Sequence, residues 1–281
     1  MVDTAFSNRR GAPMSAVDAV AAALYRDGVL EHKQALGRVW AAELAADIDA
    51  AGAAAPYACA HGGVGGAQRG YAEIHPEVLR GFVALVDHPW VRAVSAAVLG
   101  PDYRIMAVGL DHRSSGSADQ PWHRDCPSPR ATRRERRLTS LAFDVACVDS
   151  APDTGAFEVV PGSQWESGAD FEHEMFPARS EYARYARLAV RPCPRAGDIS
   201  ARSPLAIHRA TQNHSDHRAR PALVLRMGAP GVGNDGRHAM AVTRTFWLSL
   251  PPRVRRHMAC PIVGALVPPA HGMAGAPGSM A

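Results

Sequence analysis

The chain has 281 residues, 47% of them hydrophobic and 21% charged, with a formal net charge of +4 and a pI of about 9.0. This is ordinary globular composition with enough chain for a sizeable core. No apolar run reaches the roughly 18 residues of a membrane span, and Met1-Val2-Asp3-Thr4-Ala5-Phe6 lacks a basic-then-apolar leader pattern, so a cytoplasmic protein is expected.

The positive excess is local. Five arginines between Arg130 and Arg137 surround Glu135, and Arg253, Arg255 and Arg256 form a second group. Neither group has aromatic interleaving or a recognised nucleic-acid motif, so both read as solvated, with no nucleic-acid partner. Cys59, Cys126, Cys147, Cys193 and Cys260 are odd in number and make no Cys-x-x-Cys pair, against both a disulfide framework and a structural zinc site.

In chain order, Ser15 is a suitable N-cap for a helix to Arg26, and Asp27-Gly28 ends it before a short extended piece at Val29-Leu30. An Ala-rich amphipathic pattern predicts a second helix over 33–51. Residues 53–70 read as a Gly/Ala-rich loop. Its His61-Gly62-Gly63-Val64-Gly65-Gly66 lacks the Gly-Lys-Ser/Thr ending of a phosphate loop. Helices are expected over 77–86 and 90–99, the second opened by Pro89 and closed by Gly100-Pro101-Asp102. Tyr103 to Leu110 is strand-like, and from there the pattern is β. Strands are expected over 138–148, 157–160, 187–191, 199–203, 205–208 and 222–227, with turns at Asp153-Thr154-Gly155, Pro161-Gly162-Ser163 and Gly197-Asp198. Residues 127–137 read as a loop, and 242–250 as an ordered patch in a Pro- and Gly-rich tail. Helices followed by closely spaced strands imply one antiparallel barrel covered by helices. One domain over 1–267 and a disordered tail over 268–281 are expected.

Chemistry concentrates in Gln120-Pro121-Trp122-His123-Arg124-Asp125. On a strand, residues two apart share a face, so His123 and Asp125 reach one point together. Two histidines and a carboxylate on one face suit non-haem Fe(II), because they leave positions open for other ligands. A second histidine, His208, ends a predicted strand far downstream. Arginines follow it in Arg218-Ala219-Arg220-Pro221-Ala222, and the planar guanidinium fork suits a dicarboxylate co-substrate. Alternation sets Arg220, Ala222 and Val224 on one face.

These segments, in this order, resemble the phytanoyl-CoA dioxygenase family of Fe(II)/2-oxoglutarate-dependent oxygenases, and its natural-product tailoring branch in particular. The resemblance runs from about Ala21 to Met227 and rests on Gln-x-x-His-x-Asp at 120–125, Val-Pro-Gly-Ser at 160–163, Gly197-Asp198, His208, Asn213 and the arginine segment. It implies a mainly β fold, a double-stranded β-helix of the jelly-roll or cupin kind packed by N-terminal helices. It implies iron ligation by His123, Asp125 and His208, and contact of Gln120 with 2-oxoglutarate. It implies an arginine anchor for the distal carboxylate, Arg220 preferred, with Arg218 as its rival. The reaction implied is hydroxylation or another oxidation of a C–H bond in a small molecule, with 2-oxoglutarate and O2 consumed and succinate and CO2 released. Asp125 argues against the halogenating variant, which has a small non-ligating residue there. Two positions depart from the family pattern: Gln164 stands where a histidine is usual, and Phe157 where a small polar residue is frequent.

Two other functions remain open at this point. One is a catalytically silent barrel that binds a small molecule, favoured only by Gln164 and Phe157. The other is a zinc hydrolase on the same three ligands, which leaves Arg220 without a purpose. Arginines near the barrel mouth favour an anionic substrate. The sequence leaves the oligomeric state open.

Overall fold

The computed structural model describes residues 16–54, 69–169, 171–216, 219–232 and 240–267. The proposed N-cap Ser15, the Gly-rich run at 61–66, Arg218 and the tail over 268–281 lie outside these residues.

Helix α1 (Ala16–Asp27) ends where Gly28 adopts φ +76, a left-handed conformation that glycine takes at no steric cost. The Gly28 N–H donates to the Leu24 carbonyl at 2.9 Å, and its own carbonyl accepts from Ser203, turning the chain into β1 (Val29–His32). Helix α2 (Arg38–Ala54) starts later than the sequence predicts. The reason is that β1 runs to His32, and Gln34, at φ 54, donates its N–H to Asp198. Strand β2 (Arg69–Ile74) begins in the last two residues of what reads as a loop over 53–70 and runs beyond it. The predicted helix over 77–86 is broken. Pro76–Val78 is a single 3₁₀ turn, and α3 (Phe82–Val86) begins after Gly81 at φ +74, where a Cβ would strike the Trp40 indole. Helix α4 (Pro89–Leu99) is as expected, its N-cap supplied by the His88 ring, which accepts from the Trp90 N–H.

Strand β3 (Arg104–Arg113) precedes the metal-motif segment. The loop expected over 127–137 contains α5 (Arg130–Glu135), stopped by Arg136 in the left-handed region. Then follow β4 (Ser140–Ala146), β5 (Phe157–Val159), α6 (Tyr182–Leu188), β6 (Ile199–Arg202), β7 (His208–Ala210) and β8 (Ala222–Gly228). Helix α6 takes the first two residues of the strand predicted over 187–191, and of the rest only Val190 pairs, with Val159. The chain closes with β9 (Val242–Thr243), α7 (Arg244–Ser249), α8 (Pro252–Arg255) and β10 (Ile262–Val263). The β9 and β10 strands pair in parallel, an exception to the antiparallel pattern.

Among the described residues, six strands form one antiparallel sheet in the order β1-β6-β4-β8-β3-β2. A second, smaller sheet pairs β5 with β7, and the bridges His123↔His208 and Val159↔Val190 widen it on both sides. The expected mainly β architecture with flanking helices, a jelly-roll, is therefore borne out. Register sorts the large sheet into two faces. Phe143 stands opposite Ala201 and Leu225, and this face merges with Leu24, Leu44, Ile48, Val91 and Val94 of the helices into the main core. Ala142 stands opposite Arg202 and Arg226, and that face looks across at the small sheet.

The second arginine group is structural. Arg253 pairs with Asp87 at 2.6 Å, and Arg255 donates to the Leu248 and Leu250 carbonyls, both at 2.8 Å. Among the described residues, no helix is long and apolar enough to cross a membrane.

Candidate active site

The 120–125 segment is held to β7 by reciprocal backbone bonds. His123 N–H donates to the His208 carbonyl and His208 N–H to the His123 carbonyl, each at 3.0 Å. Two residues distant in sequence are thus side by side through their main chains. Alternation then sends His123 and Asp125 inward and Trp122 and Arg124 outward. Trp122 is fully buried with Val160, Tyr185 and Ile207, so it packs the barrel. Arg124 is 1% exposed and donates to the Glu166 carbonyl at 2.6 Å, tying this segment to the 163–176 loop.

Ligand atoms of His123, Asp125 and His208 lie within 4.8 Å of one another. In both histidines Nδ1 faces a backbone carbonyl, Pro121 at 2.8 Å and Ala206 at 2.9 Å. A carbonyl can only accept, so Nδ1 carries the proton and each Nε2 keeps its lone pair free for a metal. The His123 and His208 rings are 4.4 Å apart, and Phe157 and Phe176 flank them at 5.1 and 6.1 Å. Two imidazoles and one carboxylate, converging on one side with apolar walls, fit a divalent iron and leave one side of it open.

Asp125 is charged. Burial pushes its carboxyl up, but Arg202 and Arg226 outweigh this and hold it well below the usual carboxylate range. Its Oδ1 lies 3.3 Å from His208 Nε2. Its Oδ2 takes Arg202 Nη1 at 2.6 Å and Arg226 Nη2 at 3.3 Å. Arg202 is itself held by Asp144 of β4, Nε to Oδ2 at 2.8 Å. Tyr71 of β2 stands beside Arg226, and burial pushes its hydroxyl up to about 12.

Of the other residues expected here, Gln120 is buried, and its side-chain oxygen accepts the Ala210 N–H at 3.0 Å. Arg220 is buried just before β8, its N–H donating to the Arg113 carbonyl at 2.8 Å. It continues the alternation of Ala222, Val224 and Arg226, so it belongs to the face that meets Asp125. Phe157 does reach the site, against His208 and over Arg202. Gln164 does not: its amide donates to the Tyr25 carbonyl at 3.1 Å and closes the end of α1. The reading from sequence missed Arg202, Arg226 and Asp144. The available signal was charge inside otherwise apolar strands, which is uncommon without a partner.

Fold and site together define a non-haem iron oxygenase of the 2-oxoglutarate-dependent class. The family model for phytanoyl-CoA dioxygenase matches residues 24–222, and the chain belongs to that family. Solved structures agree on the fold. The carbocyclase SnoK from nogalamycin biosynthesis, described as non-heme and alpha ketoglutarate dependent, superposes with a TM-score of 0.62 at 19% identity over 81% of this chain and 92% of its own. The epimerase SnoN, solved with Fe3+, alpha ketoglutarate and nogalamycin RO, gives 0.59 at 21% identity over 78% and 91%. HygX from Streptomyces hygroscopicus, with nickel and 2-oxoglutarate bound, gives 0.55 at 14% over 74% and 85%. No curated protein matches the sequence.

Proposed function

We propose that His123, Asp125 and His208 ligate Fe(II), that Arg220 anchors the distal carboxylate of 2-oxoglutarate, and that the enzyme oxidises a C–H bond of a small natural-product scaffold. The convergence of the three donors, with both Nδ1 protons committed to carbonyls, carries the reading. When bound, iron with 2-oxoglutarate and O2 supplies the oxidising power that breaks a C–H bond, with release of succinate and CO2. The protein's part is placement. Between Arg220 and the level of Arg226, the inward positions of β8 are Ala222 and Val224, and beside them stand Asp111 and Gly109 of β3 and Ala146 and Asp144 of β4. Gln120 lies on the opposite wall, fixed to β7. Retention of Asp125 supports oxygenation over halogenation. The substrate class is supported by neighbours such as SnoK and SnoN, whose descriptions place them in nogalamycin biosynthesis.

Anaerobic titration of Fe(II)-loaded protein with 2-oxoglutarate tests the metal and co-substrate assignments. A visible charge-transfer band is expected, and a small-molecule library should then contain compounds that stimulate succinate release. No band and no succinate would sink the proposal. Arg220→Gln is expected to weaken 2-oxoglutarate binding about 10–100-fold, the value of a charge-assisted hydrogen bond, while leaving metal affinity in place. Unchanged 2-oxoglutarate affinity would assign the anchor elsewhere.

A further inference from the structure

We infer that Arg202 is a positioning residue which reserves one oxygen of Asp125, so that the carboxylate offers only Oδ1 to the metal. This rests on the ligand assignment above. The geometry is asymmetric. Oδ1 is on the histidine side, 3.3 Å from His208 Nε2, while Oδ2 is turned into the six-stranded sheet. There Arg202 Nη1 meets it at 2.6 Å, with Arg226 Nη2 as a second, longer contact at 3.3 Å. Arg202 cannot drift, because Asp144 holds its Nε at 2.8 Å from the next strand and the Phe157 ring lies 5.6 Å from its guanidinium carbon.

Such an arrangement is a poor device for stability alone. The side chains of Arg202 and Asp125 are 6% and 10% exposed. Desolvating two charges to this degree consumes most of what their attraction returns, so a buried pair is weak evidence of a stability role. It is a good device for geometry. A carboxylate that swings freely can present both oxygens to one cation. Doing so here would fill a coordination position that the reaction needs empty. Partners outside the ligand set, here Arg202 and behind it Asp144, orient ligands in this way in metal sites generally.

The test counts open positions. Mn(II) is loaded anaerobically into wild type, Arg202→Met, Arg202→Lys, Asp144→Asn and the Arg202→Met/Arg226→Met double variant, and water-proton relaxation per bound Mn(II) is measured. Three protein ligand atoms leave about three positions for water in an octahedral site. In Arg202→Met the freed Oδ2 takes one of them, so relaxation should fall by up to one third, and fully so in the double variant. Arg202→Lys, which keeps a cationic donor, should recover part of the loss. Relaxation equal to wild type in a folded double variant overturns the inference while leaving the metal centre standing. If the arginine variants do not fold, Asp144→Asn decides: a smaller fall supports the inference and an unchanged value overturns it. Should wild type bind neither Mn(II) nor Fe(II), the metal assignment itself fails, and this inference with it.

Discussion

The two faces of the six-stranded sheet are built by the same strands, one residue apart, and they do opposite things. On the outer face Phe143, Leu225, Ile199 and Val108 are fully buried against the helices. On the inner face the matching positions are Ala142, Arg226, Arg202 and Ala107, small or charged, and they look toward Asp125. Folding free energy comes from one side and chemistry from the other. A change on one face should therefore register in one measurement and not the other.

The largest separation is expected from His123→Ala. Metal affinity should fall by more than the roughly 100-fold that loss of an outer-shell partner costs. The melting temperature should stay within a few degrees, because the ring is only partly buried and the backbone bonds to His208 remain. A large loss of stability in this variant would break the division between the faces. Phe143→Ala should do the reverse. It should cost about 3–5 kcal/mol in denaturant unfolding, with metal affinity per folded molecule unchanged.

Gly109→Ala probes the inner face itself. A Cβ there would collide with the Tyr71 ring and hydroxyl, so the ring must move, at a cost of roughly 1–3 kcal/mol. A double-mutant cycle with Tyr71→Ala should recover most of it; additive effects would mean that the close approach of Tyr71 is not the reason for the glycine.

The smallest effect is expected at Glu158, on the small sheet away from the site. Burial raises its carboxyl, but hydrogen bonds from Arg191 and Arg209 outweigh this and lower it overall. A depressed carboxyl contributes stability above its unfolded value of about 4.3. That contribution is lost as pH falls through the lower folded value. Glu158→Gln should thus cost about 1 kcal/mol at neutral pH, screened as partly exposed pairs are, and progressively less on acidification. A pH-independent difference between variant and wild type would rule this out.

Legibility in the sequence followed the same division. The outer face was readable because runs such as Leu141 to Val145 and Leu223 to Met227 are apolar enough to declare strands. The convergence of His123, Asp125 and His208 was readable because period-two spacing and residue type both point to one shared site. Arg202 and Arg226 were missed because their purpose depends on strand order. Only when β6, β4 and β8 lie side by side do both arginines meet one carboxylate. Helix α6 was missed for a related reason. Its seven residues, Tyr182–Leu188, have no helix-starting cap, and its burial rests on Tyr185, which packs against Trp122. The helix break at Gly81 was hidden because the Trp40 ring that fills the space beside it comes from a distant helix.

The reciprocal main-chain bonds between His123 and His208 have a consequence for how such a site diversifies. The positions of the proposed ligands are written in backbone pairing, which any side chain permits, while their identity is written in side chains alone. Address and content are stored separately. A lineage, or a designer, can therefore rewrite the reactivity at His123 or His208 one residue at a time while the address persists. At Asp125 that freedom is narrower, because replacing it leaves Arg202 and Arg226 facing each other without their shared anion. Coordination chemistry at this position would have to evolve together with Arg202 and Arg226, as one inherited unit.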